Sequence, residues 1–183
     1  AVLATAPSIA ESGPFAEARP VWPRGRSLEK NLQVGFRAVI DLPEGRQAML
    51  RATASTLYRA TAGGRHIAYG PARGPHGYYR VDEIPFAGRA PGGRTVIAVE
   101  VAGYNVNSYY TVDQPSFLQA EVLVDGKVVA ATGARGFEAL IPGERAQKVQ
   151  RYSFQRPFSE VYRVRPDHDA WKTDPGAPFP AVP

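Results

Sequence analysis

The fold class predicted by the sequence is an antiparallel β-sandwich of the jelly-roll kind, and three observations predict it. Apolar and polar residues alternate with a period of two in roughly eight short runs. Clusters of Gly, Pro, Asn and Asp punctuate those runs as turns. No stretch carries the apolar spacing of an amphipathic helix. The alternation is confined to residues 33–165, which predicts one all-β domain there. Residues 1–32 hold Pro7, Pro14, Pro20 and Pro23 and predict an extended arm or an edge element rather than core, with Trp22 anchoring it to the sandwich. Residues 166–183 predict a proline-rich tail or linker.

Taken in order, Val34 to Asp41 places Phe36, Ala38 and Ile40 on one face, and Pro43-Glu44-Gly45 stops it. Leu50, Ala52 and Ala54 line the next strand, and their small size predicts close approach of the two sheets. Tyr58 to Thr61 and His66 to Tyr69 flank Gly63-Gly64, a pair able to adopt the positive φ of a tight hairpin. Gly70-Pro71 and Gly74-Pro75 then interrupt regular structure before Tyr78-Tyr79 restart a strand toward Asp82. GRAPGGRT at 88–95 has the spacing of a phosphate loop, but Arg94 stands where the lysine belongs. The β-branched TVIAVEV that follows predicts a strand, not the helix such a loop must open, so the segment reads as a turn. Ile97, Val99 and Val101 are the expected core face of that strand. Beyond the polar, aromatic loop Tyr104 to Pro115, Phe117 to Val124 and Val128 to Ala131 pair across Asp125-Gly126. Phe137 to Ile141 and Arg151 to Val164 complete the expected strands, the last carrying Tyr152, Phe154, Phe158 and Tyr162.

Composition narrows the function classes. The 183 residues include no cysteine, which excludes a disulfide framework and thiol chemistry. No apolar run approaches the roughly 20 residues of a membrane helix. The formal charge is +5, but its arginines are spread singly from Arg19 to Arg165 rather than massed on one element, which argues against nucleic acid. The one methionine is Met49, so the sequence is expected either to have lost a leader or to be a piece of a longer chain.

Two stretches carry a likeness to a known family. The first holds Leu57-Tyr58, Gly63-Gly64, Gly70-Pro71-Ala72-Arg73-Gly74, Tyr78-Tyr79 and Asp82; the second, RYSFQRPFSEVYRVRPDHDAW, holds Glu160-Val161-Tyr162 and Trp171. On these residues the chain resembles the N-terminal β-sandwich region of bacterial α-L-rhamnosidases and related glycoside hydrolases. Ala62-Gly63-Gly64 stands where that family commonly has Asn-Gly, and a second glycine serves the same turn. The resemblance implies a jelly roll of the galactose-binding type. It implies an exported, periplasmic or secreted, parent enzyme that hydrolyses terminal α-L-rhamnosyl linkages with inversion. The acid–base pair for that reaction is implied to lie on a helical toroid outside this chain, and no matched residue is catalytic.

The chain's own residues offer little chemistry. Glycoside hydrolysis needs two carboxyl groups facing each other across a cleft. Asp82 and Glu83 are adjacent and so point to opposite faces of a strand, while Glu100 and Glu121 fall at positions expected to face solvent. His66, His76 and His168 have no metal-ligand spacing, and Ser108 and Ser116 lack the glycine-flanked elbow of a nucleophile. The only metal reading is a structural calcium ion at a loop, with Asp113 as the side chain for it.

Recognition is what remains. Sugar rings stack their apolar faces on aromatics and pair their hydroxyls with amides, carboxylates and arginine. Two loops collect such groups: Arg73, Tyr78 and Tyr79 in one, and Tyr104, Asn105, Asn107, Tyr109, Tyr110 and Asp113 in the other. Three readings stand side by side: carbohydrate binding, docking onto a catalytic domain of the same polypeptide, and plain capping of the sandwich core. A free-standing carbohydrate-binding or surface protein is the alternative to an accessory domain.

Overall fold

The computed structural model describes residues 2–5, 13–89 and 92–183. Among the described residues, ten strands form two five-stranded antiparallel sheets: β1 (Val2–Thr5), β2 (Leu32–Asp41), β3 (Gln47–Ser55), β4 (Leu57–Ala62), β5 (Arg65–Gly70), β6 (Tyr78–Ala87), β7 (Arg94–Gly103), β8 (Phe117–Val124), β9 (Lys127–Ala131) and β10 (Phe137–Leu140). One sheet has the order β1-β6-β3-β8-β9 and the other β10-β2-β7-β4-β5. Sequential strands β2 and β3 therefore lie in opposite sheets, as do β3 and β4, so the chain repeatedly crosses the sandwich.

Period-two alternation builds the interior. Val34, Phe36, Ala38 and Ile40 from β2 meet Leu50, Ala52 and Ala54 from β3, with Ile97, Val99 and Val101 from β7 and Leu118, Ala120 and Val122 from β8. All are buried, and the alanines on β3 and β8 face each other at Ala52↔Ala120. Both glycine-bearing hairpins form as their sequences dictate. Gly63 and Gly64 have φ of 53° and 75°, and Asp125 and Gly126 have φ of 50° and 74°, the left-handed pair that matches strand twist in a two-residue loop. Of the segment 88–95, Ala90 and Pro91 lie outside the described residues; Gly93 has φ of 76°, and a strand begins at Arg94, so no helix follows the glycines.

The predicted strand from Arg151 to Val164 does not form. The segment holds only isolated bridges, Arg151↔Phe158 and Arg145↔Tyr162, and Tyr152 and Phe154 are exposed. The physical reason is local. Pro157 lacks an amide donor, and the Arg151 side chain bonds the carbonyls of Phe154 and Arg156 that a ladder would use. The segment is tied down instead by its side chains, Arg151 to the Asn107 carbonyl at 2.9 Å and Gln155 to the Tyr109 hydroxyl at 2.9 Å, and the stretch before it by Arg145, which donates to the Asn31 carbonyl at 3.0 Å and to Asn31 Oδ1 at 2.7 Å.

The expectation of solvent-facing Glu100 and Glu121 is also corrected. Each points outward from its sheet as alternation requires, but each outer face is covered by a chain terminus. Residues 14–21 cross the β3–β8 face, where Glu121 is fully buried and takes the amides of Ala16, Glu17 and Ala18. The C-terminal segment crosses the β2–β7 face. It is docked rather than a free linker: a single 3-10 turn, Ala170–Lys172, buries Trp171 above Gly35, and Lys172 Nζ donates to Glu100 at 2.9 Å. Val182 bridges Ala139, and the Arg24 amide donates to the Pro183 carbonyl. Trp22 in the arm packs its ring 6.0 Å from Phe36 and closes one end of the core.

One of these tethers is set by pH. The Arg26 guanidinium donates twice to Glu29 at 2.7 Å, and with the Gln147 amide it holds the Glu29 carboxyl down to about 2 from 4.5. A depressed carboxyl stabilises the fold above its unfolded value, and that contribution is lost as pH falls through the folded one. The side chain is 38% exposed, so solvent screening keeps the effect below about 1 kcal/mol. Unfolding by urea at about pH 6 and about pH 2 is expected to show the gap between the parent chain and Glu29→Gln narrowing at the lower pH. A gap of constant size at both pH values would contradict the assignment.

Candidate functional site

The two polar, aromatic loops converge on one cleft of about 470 Å³, a volume within the range of small-molecule sites. Pro71, Arg73, Gly74, Pro75 and Tyr78 form one wall, and Tyr109, Tyr110, Thr111 and Val112 the other. Ala54, Thr56 and Leu57, from the β3–β4 crossing, close it below. None of the lining residues is Asp or Glu.

The second loop is held in shape by its own short side chains. Ser108 Oγ accepts the Tyr110 and Thr111 amides at 3.0 and 3.1 Å, and Thr111 Oγ1 donates to the Val106 carbonyl at 2.6 Å. Asn107 Oδ1 accepts the Asp113 amide at 2.9 Å. Asn105 sits at φ 47°, the left-handed conformation that asparagine tolerates.

Tyr109 is fixed from three sides while its ring stays in solvent. Its carbonyl accepts from Arg73 at 2.9 Å, its amide donates to the Gln155 carbonyl at 3.1 Å, and its hydroxyl accepts from Gln155 Nε2 at 2.9 Å. The residue nevertheless remains 64% exposed, and Tyr110 is 57% exposed. Arg151 completes the frame by donating to the Asn107 carbonyl at 2.9 Å, which locks the 151–158 loop against the second wall. An exposed aromatic whose backbone and hydroxyl are already ordered loses little conformational freedom on meeting a ligand.

The structure brings Arg73, Tyr78, Tyr79, Tyr109 and Tyr110 to the cleft lining. Tyr78 is half exposed and Tyr79 is buried, as neighbours on a strand must differ, and the Tyr79 ring stands edge-on to Phe117 at 4.7 Å. Tyr104, Asn105, Asn107 and Asp113 are not in the lining. Tyr104 and Asn105 are buried beneath the loop. Burial, and then the neighbouring Glu160 carboxylate, push the Tyr104 hydroxyl above its ordinary pKa, and that O–H donates to Glu160 Oε1 at 3.3 Å. Asn107 and Asp113 are exposed and bond each other in framing the loop. Among the described residues, no group of three or more His, Cys, Asp or Glu side chains converges on a point. Gln155 and Arg151, which hold Tyr109 and its loop, were not indicated by the sequence; they lie more than 40 residues away along the chain.

The other residues of the two family-like stretches have structural roles. Tyr58 is buried and donates to Asp82 at 2.7 Å; burial and that carboxylate drive its pKa far above the usual tyrosine value. Gly70 lies so close to this pair that a Cβ would stand 2.4 Å from Asp82 Oδ2. Glu160 receives the hydroxyls of Tyr104 and Tyr162, and Trp171 packs on the outer face of a sheet. Tyr58, Asp82, Arg80 and Tyr69 also border a second hollow of about 450 Å³, in which Asp82 is engaged by Tyr58 and Glu83 by Arg51. No helix among the described residues is long and apolar enough to cross a membrane.

No protein-family model matches the sequence, and no curated protein matches it. Solved structures do. A GH78 family rhamnosidase of Bacillus sp. GL1 superposes with a TM-score of 0.67 at 28% identity, over 82% of this chain and 16% of that enzyme. The Pleurotus ostreatus lectin superposes at 0.50 with 15% identity over 85% of this chain and 44% of the lectin, a likeness of fold alone. An α-L-rhamnosidase from Aspergillus terreus follows at 0.47 and 13%, over 79% of this chain and 21% of that one. The chain is thus an all-β sandwich that spans about one-sixth of the Bacillus rhamnosidase and resembles one domain-sized part of it.

Proposed function

We propose that this chain is a non-catalytic accessory domain of an α-L-rhamnosidase-like glycoside hydrolase, exported with its parent. In this reading it supports the catalytic domain and binds rhamnose-containing carbohydrate at the cleft between Arg73 and Tyr110. The observation that carries the reading is the 28% identity to a rhamnosidase over 82% of the chain but only 16% of that enzyme. The cleft supports it. It offers exposed tyrosine rings for the apolar faces of a sugar and an arginine for its hydroxyls, while a two-carboxylate mechanism has no residues there. The fold shared with a lectin is compatible with sugar binding but assigns no ligand by itself.

Calorimetric titration of the chain with L-rhamnose and rhamnosyl oligosaccharides, with and without calcium, tests this. Saturable binding is expected. Tyr109→Ala and Tyr110→Ala are each expected to weaken it about tenfold, the size of one lost stacking contact, without changing the thermal midpoint. Absence of heat at millimolar ligand would overturn the binding role.

A further inference from the structure

The cleft has a chemical bias that a neutral sugar does not use. Arg73 Nη1 donates to the Tyr109 carbonyl, and among the described residues no other bond engages that guanidinium. Arg151 bonds only main-chain carbonyls, those of Asn107, Phe154 and Arg156. Arg156 is exposed, sits next to the Gln155 that grips Tyr109, and makes no side-chain hydrogen bond among the described residues. Across the sheets, by contrast, Arg37, Arg51, Arg59 and Arg80 each meet a carboxylate.

The imbalance extends through the segment that backs the second wall, which holds Tyr109 and Asn107 through Gln155 and Arg151 and contributes none of the lining itself. Residues 144–165 carry Arg145, Lys148, Arg151, Arg156, Arg163 and Arg165 against Glu144 and Glu160 alone. Among the described residues none of these cations is in an ion pair, and Glu160 is turned to the hydroxyls of Tyr104 and Tyr162. In the second loop Asp113 is the nearest acidic loop residue in sequence, and it is outside the lining. A charge that bonds carbonyls is oriented but not neutralised, so its field reaches an approaching anion. The second wall and the segment behind it present Tyr109, Tyr110, Tyr152 and Phe154 as exposed rings.

From this juxtaposition of fixed tyrosine rings and uncompensated guanidinium groups, we infer that the ligand is an acidic glycan whose chain carries carboxylate-bearing (uronic acid) units. The rings stack on the sugar faces, and Arg73 in the lining and Arg156, next to the Gln155 that holds Tyr109, take the carboxylates. This rests on the carbohydrate reading above and narrows its substrate class. A concave, tyrosine-lined cleft suits a sugar chain better than the flat acidic surface of a protein partner.

The test compares a rhamnose- and uronate-containing oligosaccharide with the same oligosaccharide after its carboxyl groups have been reduced to alcohols. At low ionic strength the acidic form is expected to bind at least about tenfold more tightly, and the difference to close near 1 M salt, where screening is complete within a few ångströms. Arg156→Gln, which breaks no bond within the protein, is expected to weaken the acidic form about fivefold and to leave the reduced form unchanged. Arg73→Gln should do the same to the acidic form, with any additional loosening of Tyr109 visible as weaker binding of the reduced form. Arg65→Gln, on the β4–β5 hairpin, controls for net charge and should change neither. Equal affinity for the two forms, or an Arg65 effect equal to that of Arg156, would overturn the acidic-ligand inference and leave carbohydrate binding standing. Binding of neither form would overturn both and give the face to a protein partner.

Discussion

Glu121→Ala is expected to destabilise the fold by about 3–5 kcal/mol, the scale of removing one member of a buried ion pair. Glu121 has no exposed surface, and it stands in the middle strand pair opposite Arg51. Its carboxylate takes Arg51 Nη1 at 2.9 Å and the amides of Ala16, Glu17 and Ala18 at 3.0–3.3 Å. Alanine would strand three amides and one arm of a guanidinium beneath the 14–21 segment, and unsatisfied buried donors cost more than the bonds had contributed. Glu121→Gln keeps one acceptor and should lose about half as much. Urea unfolding measures both. A loss under about 1 kcal/mol for the alanine variant would mean that the arm lifts away and water replaces it. Limited proteolysis between Pro14 and Val21 reads that directly, since a lifted arm is cut in the folded protein.

Glu121 also marks the limit of what the sequence discloses. Alternation assigned it to the outer face of β8, and that is where it lies. What alternation does not encode is that residues more than 100 positions earlier cross that face and cap it. The interior was legible because each strand states its own inward residues, and the hairpins at Gly63-Gly64 and Asp125-Gly126 because two positive φ values in succession demand those residue types. Arg151 to Val164 misled because alternating aromatics are necessary for a strand and not sufficient. With Pro157 in the run and carbonyls taken by Arg151, no sheet edge receives it. The cleft was half legible. Its two loops could be named from their tyrosines and polar residues, and the opposed roles of Tyr78 and Tyr79 follow from the strand period. The burial of Tyr104 under a loop, against a glutamate 56 residues away, has no local signature. Nor do the bonds from Gln155 and Arg151 that hold the second wall.

The second large effect is at the other covered face, and it decides whether the C-terminal segment is part of the domain. Trp171 is 7% exposed and packs with Leu140, Ala98 and Phe179 on the outside of the β10-β2-β7 sheet. Arg37 secures the same layer, its guanidinium 4.2 Å over the Phe179 ring and bonded to the Ala177 carbonyl at 3.0 Å. Trp171→Ala is therefore expected to cost about 3–5 kcal/mol, as for other buried indoles. The indole fits because β2 has a glycine beneath it: a Cβ at Gly35 would lie 2.6 Å from the ring. Gly35→Ala should then cost about 1–3 kcal/mol by overpacking, although alanine suits a strand better than glycine. The two substitutions spoil one contact from opposite sides, so the double variant should be more stable than the sum of the singles, by roughly 1 kcal/mol or more. A sum that is simply additive would show that the segment does not rest on Gly35 in solution. Less-than-additive loss would make residues 170–183 a structural cover of the sheet, and a domain cut at residue 166 for binding work would lack one face of its fold.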